Sequence, residues 1–362
     1  MGYTGSENFR TEYHKYTFRK IAFILMLMAV IVLLSGYSCM ISGRDMTLVE
    51  GLRAIWNHIL GVEFEYNSPQ WWDDKIIWSV TMPRVALGII AGCGLAISGA
   101  IMQGVLSNPL AEPYTMGVSS GVVFGANLAI VAGLSLASNV HTFGIVLNAF
   151  IMGLVPVAIV MVLMRIMRSL SPVTIILSGV AISYFFGGLN TLLLVGAEEE
   201  SLSQAYQWQV GSLENTLWSE VEFVFVVVLV LVLISLFLSK YLNALTQGDN
   251  LAKSLGMDVD SFRLYCMILV TLMSASILCF TGIIGFVGLL APHIVRSIIG
   301  GDNRYVLPAS CVFGSAFLLF ADTVTRMIAG IDVPVGAVMA FFGAPLFLFI
   351  ILRSNRRRRC LY

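Results

Sequence analysis

Few residues in this chain are placed to do chemistry. The stretch Gly282 to Arg304, GIIGFVGLLAPHIVRSIIGGDNR, sets His293 and Arg296 three apart in an apolar, glycine-punctuated run that Pro292 interrupts. Ionisable groups in such a run are functional candidates by default. The same pair is also readable as a contact satisfied structurally near a helix end. In water the segment would make a poor helix, because glycine costs about 1 kcal/mol and proline about 3 kcal/mol relative to alanine. In a bilayer, small residues let backbones approach, and a broken helix is tolerated where protein or a water-filled cavity satisfies the freed groups. The segment therefore reads as part of a transport path.

Catalytic patterns are missing from the sequence: no paired acids, Ser/His set or H-E-x-x-H motif lies in a hydrophobic run. No metal site is expected. The segment GDNLAKS imitates a phosphate loop, but Ala252 stands where G-x-x-x-x-G-K-[ST] requires its second glycine, and no strand precedes it. The expectation is that this chain binds no ATP itself. Six scattered cysteines, Cys39, Cys93, Cys266, Cys279, Cys311 and Cys360, form no C-x-x-C pair and read as small apolar thiols rather than disulfides or metal ligands. Glu198 to Glu200 read as a solvated charge run rather than a partner site. Glu112, Glu222 and Asp322 fall near span ends, which disfavours a proton- or sodium-driven carrier.

The elements that would hold these residues are membrane spans. Hydrophobic residues are 58% of the 362, charged residues 12%, and mean hydropathy is +0.87. A soluble domain carries roughly 25% charged residues, so this chain has too little polar surface to be one. The expected fold is all-α and polytopic: a tail over 1–20, a single transmembrane domain over 21–352 with ten helices, and a basic tail over 353–362. The run from Ile21 to Met40 exceeds a signal-peptide core and reads as an uncleaved first span. The other spans are expected near 82–106, from Gly117, 144–164, 172–195, 222–238, 264–280, 282–304, 305–325 and 334–352. Between them lie a tryptophan-rich interfacial segment from Thr47 to Thr81, the helix-breaking turn SNPLAEP, a polar loop after Glu200, and two short helices within Lys240 to Arg263. With the N-terminus inside, 16 of 21 Lys and Arg fall on the cytoplasmic side, as the positive-inside rule requires, so both termini are expected in the cytoplasm.

Several motifs in order, PRVALGIIAGCGLAISGAIMQGVLSNPLAEPYTMGVSSG, QWQVGSLEN, LTQGDNLAKSLGMDV, GFVGLLAPHIVRSIIGGDNR, LPAS and DVPVGAVMAFFGAPLF, resemble the FecCD-type permeases over about residues 80–352. These are membrane subunits of bacterial ABC importers for iron-siderophores, haem and cobalamin. The resemblance implies a type II ABC importer permease fold in the bacterial inner membrane. It also implies a second permease subunit, with a homodimer preferred to a heterodimer, two cytoplasmic ATPase subunits that use the ATP, and an extracytoplasmic substrate-binding protein. Nucleic acid has no place among the partners.

By the same resemblance, Gly248, Asp249, Ala252, Leu255 and Gly256 match the segment that docks into the ATPase; the bland alternative is a surface connector. Arg84 and Arg326 match arginines that meet acidic groups on the binding protein, guanidinium being suited to carboxylate. Locally, Arg326 lies four residues after Asp322 and is open to pairing with it, and Arg84 is open to snorkelling towards headgroups. Asn108, Pro109 and Leu110 match a cytoplasmic constriction, although Asn108 is equally suited to capping its own turn. Pro172 and Val173 fall at the second gate element, where some relatives carry small hydroxyl residues.

Overall fold

The structure, a computed structural model, describes residues 4–41, 46–137, 141–167, 171–328 and 333–359. Arg44 and Arg168, and the side chains of Arg10, Lys15, Arg353 and Arg356 to Arg359, lie outside that description. Among the described residues the fold is all-helical. Seven helical stretches are long and apolar enough to cross a membrane, and three apolar helices are shorter.

The first helix, α1 (Thr4–Ile41), leads to an amphipathic pair, α2 (Leu48–Ile59) and α3 (Pro69–Ile76). Thr47 opens α2 with a reciprocal capping box to Glu50. His58 ties both short helices together and onto Trp78: its ring stacks on that indole at 3.9 Å and bonds Asp74 at 2.7 Å. A wide π turn, Ile77–Thr81, joins α3 to α4 (Met82–Val105). That turn precedes Pro83, whose ring nitrogen cannot donate a helical hydrogen bond, so the extra residue absorbs the break without ending the helix.

Helix α4 is the centre of the molecule. It packs against α9 (Trp218–Phe237), α12 (Val259–Thr281), α13 (Val287–Ile299) and α14 (Asn303–Met327). Two close approaches depend on glycine. A Cβ on Gly92 would run into the Gly314 backbone, and one on Gly99 into the Gly288 carbonyl. Gly288 is four residues before Pro292, so its carbonyl lacks the usual helical donor. Gly99 packs against that same carbonyl. Small residues thus set helix spacing here, as expected where lipid supplies no hydrophobic drive between helices.

A second layer is built from α5 (Val118–Ile130), α6 (His141–Met167) and α7 (Pro172–Val195). Gly121 and Gly125 let α5 lie on the α6 backbone at Met152 and Asn148. The apolar stretch of α4 is 78% buried, whereas those of α7 and α9 are only 22% buried, leaving broad apolar faces for lipid or a second subunit. The remaining helices are α8 (Glu199–Gln209), α10 (Ser239–Leu245), α11 (Asp249–Ser254) and α15 (Val335–Arg359).

Three sequence expectations are corrected. The segment after Glu200 is helix α8 rather than a loop: Glu198 stands at its N-cap, and Glu199 and Glu200 lie in its first turn, where acids complement the helix dipole. The span expected over 282–304 holds only the 13-residue α13, because Gly282 and Phe286 both take φ +67° and unwind the residues before it. Cys93 and Cys311 are not separate thiols but form a disulfide, their Cα atoms 4.0 Å apart. They sit next to and near the Gly92–Gly314 crossing, and no spacing along the chain reveals a bridge between residues 218 apart.

Candidate functional site

Two polar clusters lie on opposite ends of α4. At its beginning, Arg84 Nε donates to Asp322 Oδ1 at 2.8 Å and Arg84 Nη2 to Thr325 Oγ1 at 3.3 Å. Arg326 Nε lies 3.6 Å from Asp322 Oδ2, the helical four-residue pairing, and Glu214 Oε1 lies 3.6 Å from Arg84 Nη1. The Asp322 side chain is 0% exposed and both arginine side chains 13%. The two arginines singled out in the sequence therefore meet on one carboxylate. Asp322 on Arg326 was readable from spacing. Glu214 and the Arg84–Asp322 bond were not, since 238 residues separate the latter pair.

At the other end of α4 the chain turns through Ser107 to Leu110. Ser107 takes φ +47°, and Asn108 Oδ1 accepts from Leu110 N at 3.0 Å, so Asn108 closes its own turn. Pro109 and Leu110 are exposed on that turn. Pro172 occupies the first turn of α7, behind Ser171, whose hydroxyl accepts from Thr174 N at 3.2 Å, and Val173 projects outward from it. Just beyond the turn, burial pushes the Glu112 carboxyl up to about 7.

The segment between α9 and α12 folds as the expected two short helices. Gly248 and Gly256 bracket α11 with φ of +110° and +82°, values that favour glycine. Ala252 is fully buried and seats α11, whereas Leu251 and Leu255 are exposed, Leu255 to 68%. Leu251 has helical spacing with Leu255 in the sequence but is not among the residues matched to the ATPase-docking segment; its exposure belongs to the tertiary structure. Asp249 accepts a two-point pair from Arg263, Nη2 to Oδ1 at 2.7 Å and Nη1 to Oδ2 at 2.9 Å. Arg263 Nε also donates to Val105 O, the last residue of α4, at 3.3 Å. Asn243 of α10 reaches the turn before α14, donating to Asp302 Oδ1 at 2.7 Å and accepting from Asn303 N at 2.8 Å.

Near this same end, Arg296 of α13 is engaged with the last turns of α4. It bonds Gln103 Oε1 and donates to Ala100 O at 3.1 Å, while Gln103 Nε2 donates back to Leu289 O at 3.1 Å. A guanidinium so satisfied holds two helices together. His293 beside it is half-buried. No cluster of three or more His, Cys, Asp or Glu side chains able to hold a metal occurs among the described residues.

This arrangement anchors helices to one another. The FecCD transport family model matches residues 27–353. An ABC transporter permease protein of Methanocaldococcus jannaschii is 35% identical over 356 residues, 96% of this chain and 98% of that one. The iron(3+)-hydroxamate import system permease protein FhuB of Bacillus subtilis is 33% identical over 338 residues, 91% of this chain and 84% of that one. A solved inward-facing conformation of a metal-chelate type ABC transporter superposes with a TM-score of 0.78 at 28% identity, covering 92% of this chain and 99% of that one. The chain belongs to the FecCD transport family, multi-pass membrane permeases of ABC importers that leave ATP hydrolysis to separate ATPase subunits.

Proposed function

We propose that this permease carries a bulky metal chelate, an iron-siderophore, haem or cobalamin, into the cytoplasm by alternating access, as a homodimer with the pathway between its subunits. The observation that carries the reading is the projecting α10–α11 knob. It presents exposed Leu251 and Leu255 on a seat fixed by buried Ala252 and the Asp249–Arg263 pair. Apolar side chains raised on a rigid polar segment suit a groove on a partner. We assign that partner as the ATPase, which places α10–α11 and both termini in the cytoplasm.

In this orientation Asn108, Pro109, Leu110, Pro172 and Val173 lie at the inner mouth and serve as the gate. Arg84 and Arg326 lie at the outer mouth, where Asp322 fixes their position for acidic side chains of the binding protein. The chelate class is supported by the relative named for iron(3+)-hydroxamate and the solved metal-chelate type transporter. Few charged hooks project from the helices, so a large polar cargo would pass without being trapped. The chain binds no nucleotide in this reading.

The test is uptake into proteoliposomes holding the permease, its ATPase and its binding protein, with ferric hydroxamate, haem and cobalamin as separate cargoes. ATP-dependent accumulation of one of them, lost with a hydrolysis-dead ATPase, is the expected result. Accumulation driven by a proton gradient without ATPase, or nucleotide hydrolysis by the purified chain alone, would overturn the reading.

A further inference from the structure

Arg263 sits in the first turns of α12 with 3% of its side chain exposed. A buried guanidinium is costly unless its donors are satisfied in good geometry. Its fork grips both oxygens of Asp249, the first residue of α11, and its Nε caps Val105 O at the end of α4. A cation suits a helix C-terminus, where the last carbonyls lack intrahelical donors. The Asp249 side chain is 41% exposed, so the network begins at the surface of the knob and ends inside the bundle, two residues before Ser107 opens the gate turn.

The surroundings of α11 distinguish a polar route into α4 from an apolar one. Gly248 and Gly256 bound α11 on both sides, and a Cβ on either would meet nothing within 4 Å. Helix α10 is anchored by Asn243 on the α13–α14 turn, and its contact with the end of α4, Leu242 beside Gly104, is apolar. Of the polar contacts described for α11, the one with Arg263 leads to α4. A two-point guanidinium–carboxylate pair is planar and directional, so displacement of the carboxylate displaces the guanidinium with it, which a lysine ammonium would not reproduce.

We propose that Arg263 is the positioning residue that carries motion of α11 into the end of α4 and the Ser107–Leu110 turn. The inference rests on the reading of α10–α11 as the ATPase-facing knob. Its effect is on coupling: displacement of α11 reaches the gate through Asp249, Arg263 and the Val105 carbonyl in series.

The experiment compares Arg263→Lys, Asp249→Asn and the double variant in the full complex in proteoliposomes, reading chelate uptake per ATP hydrolysed and the amount of ATPase that co-purifies. Each single variant is expected to lower uptake per ATP about 10-fold in the complexes that form, within the range seen for residues that modulate coupling between sites, and Arg263→Lys to do so with the ATPase still attached. The double variant is expected to match a single one, since members of one series are not additive. A merely structural role would lower assembly and leave the ratio in the surviving complexes unchanged. An unchanged ratio, multiplicative losses in the double variant, or loss of ATPase co-purification in Arg263→Lys, whose side chain is buried away from the partner, overturns the proposal. If Arg263→Lys fails to accumulate, Asp249→Asn decides by the same ratio, because its side chain is partly exposed and keeps its shape. A separate cross-link from Leu255→Cys to a thiol on the ATPase distinguishes the two levels. No cross-link removes the knob reading itself, whereas a cross-link with an unchanged ratio removes only the role of Arg263.

Discussion

Arg84 Nε donates to Asp322 Oδ1 at 2.8 Å, joining the start of α4 to the end of α14 through a carboxylate that is wholly buried. Arg326 adds a second guanidinium 3.6 Å from the other oxygen. Removing the carboxylate leaves two little-exposed cations facing each other. Asp322→Ala is expected to destabilise the protein by about 3–5 kcal/mol, the cost of breaking a buried pair. Arg84→Ala is expected to cost less, because Arg326 remains to neutralise Asp322. Melting temperatures in detergent check the order, and equal losses would contradict it.

The α4 crossings predict opposite outcomes for two glycine substitutions. Gly99→Ala places a methyl group on the Gly288 carbonyl and is expected to destabilise by about 1–3 kcal/mol, the usual cost of overpacking. Gly187→Ala in the interior of α7 meets nothing within 4 Å and is expected to be neutral or to stabilise by up to about 1 kcal/mol. Both are read as thermal stability of the purified chain.

Asn243 makes two hydrogen bonds to the α13–α14 turn from one side chain. Asn243→Ala leaves Asp302 and the Asn303 amide short of a partner and is expected to cost about 1–3 kcal/mol. Hydrogen exchange should be faster at the Asn303 amide, which loses its acceptor, Asn243 Oδ1.

Asp302 gives a pH dependence with a defined sign. Burial alone would raise its carboxyl, but donors from Arg304 and Asn243 outweigh burial and bring it from 3.8 down to about 2. A depressed acid contributes stability that is complete above the unfolded value of 3.8 and is lost as pH falls towards 2. Asparagine caps helices about as well as aspartate, so Asp302→Asn isolates the charge. The melting difference between wild type and Asp302→Asn should be constant from pH 8 to 5 and shrink below pH 4. A difference that grows on acidification would contradict the assignment.

The Cys93–Cys311 bridge predicts a fragment pattern. Cleavage at a protease site inserted after Lys253, in the surface segment α11, should leave one band on a non-reducing gel and two after reduction, because the bridge joins the pieces across the cut. Two bands without reductant would show separate thiols.

Composition and local spacing were enough to determine what kind of molecule this is. Apolar runs of span length, glycines and prolines tolerable in lipid, and two glycines bracketing a polar segment are properties of neighbouring residues. They carry the all-helical membrane fold and the α10–α11 pair. The ordered motifs from Pro83 to Phe347 likewise placed the chain in its family without coordinates. Spacing also left Asp322 beside Arg326 as a possibility. Which side chains meet across the bundle was decided by the tertiary structure alone: Arg84 on Asp322, Arg263 between Asp249 and Val105, Asn243 on Asp302, Cys93 on Cys311. The same holds for the shortness of α13, where unwinding at Gly282 and Phe286 follows from packing against neighbouring segments. Helical periodicity reports which residues share a face of one helix. It carries no information about which helix arrives opposite that face, and the polar bonds that hold this permease together lie in that pairing.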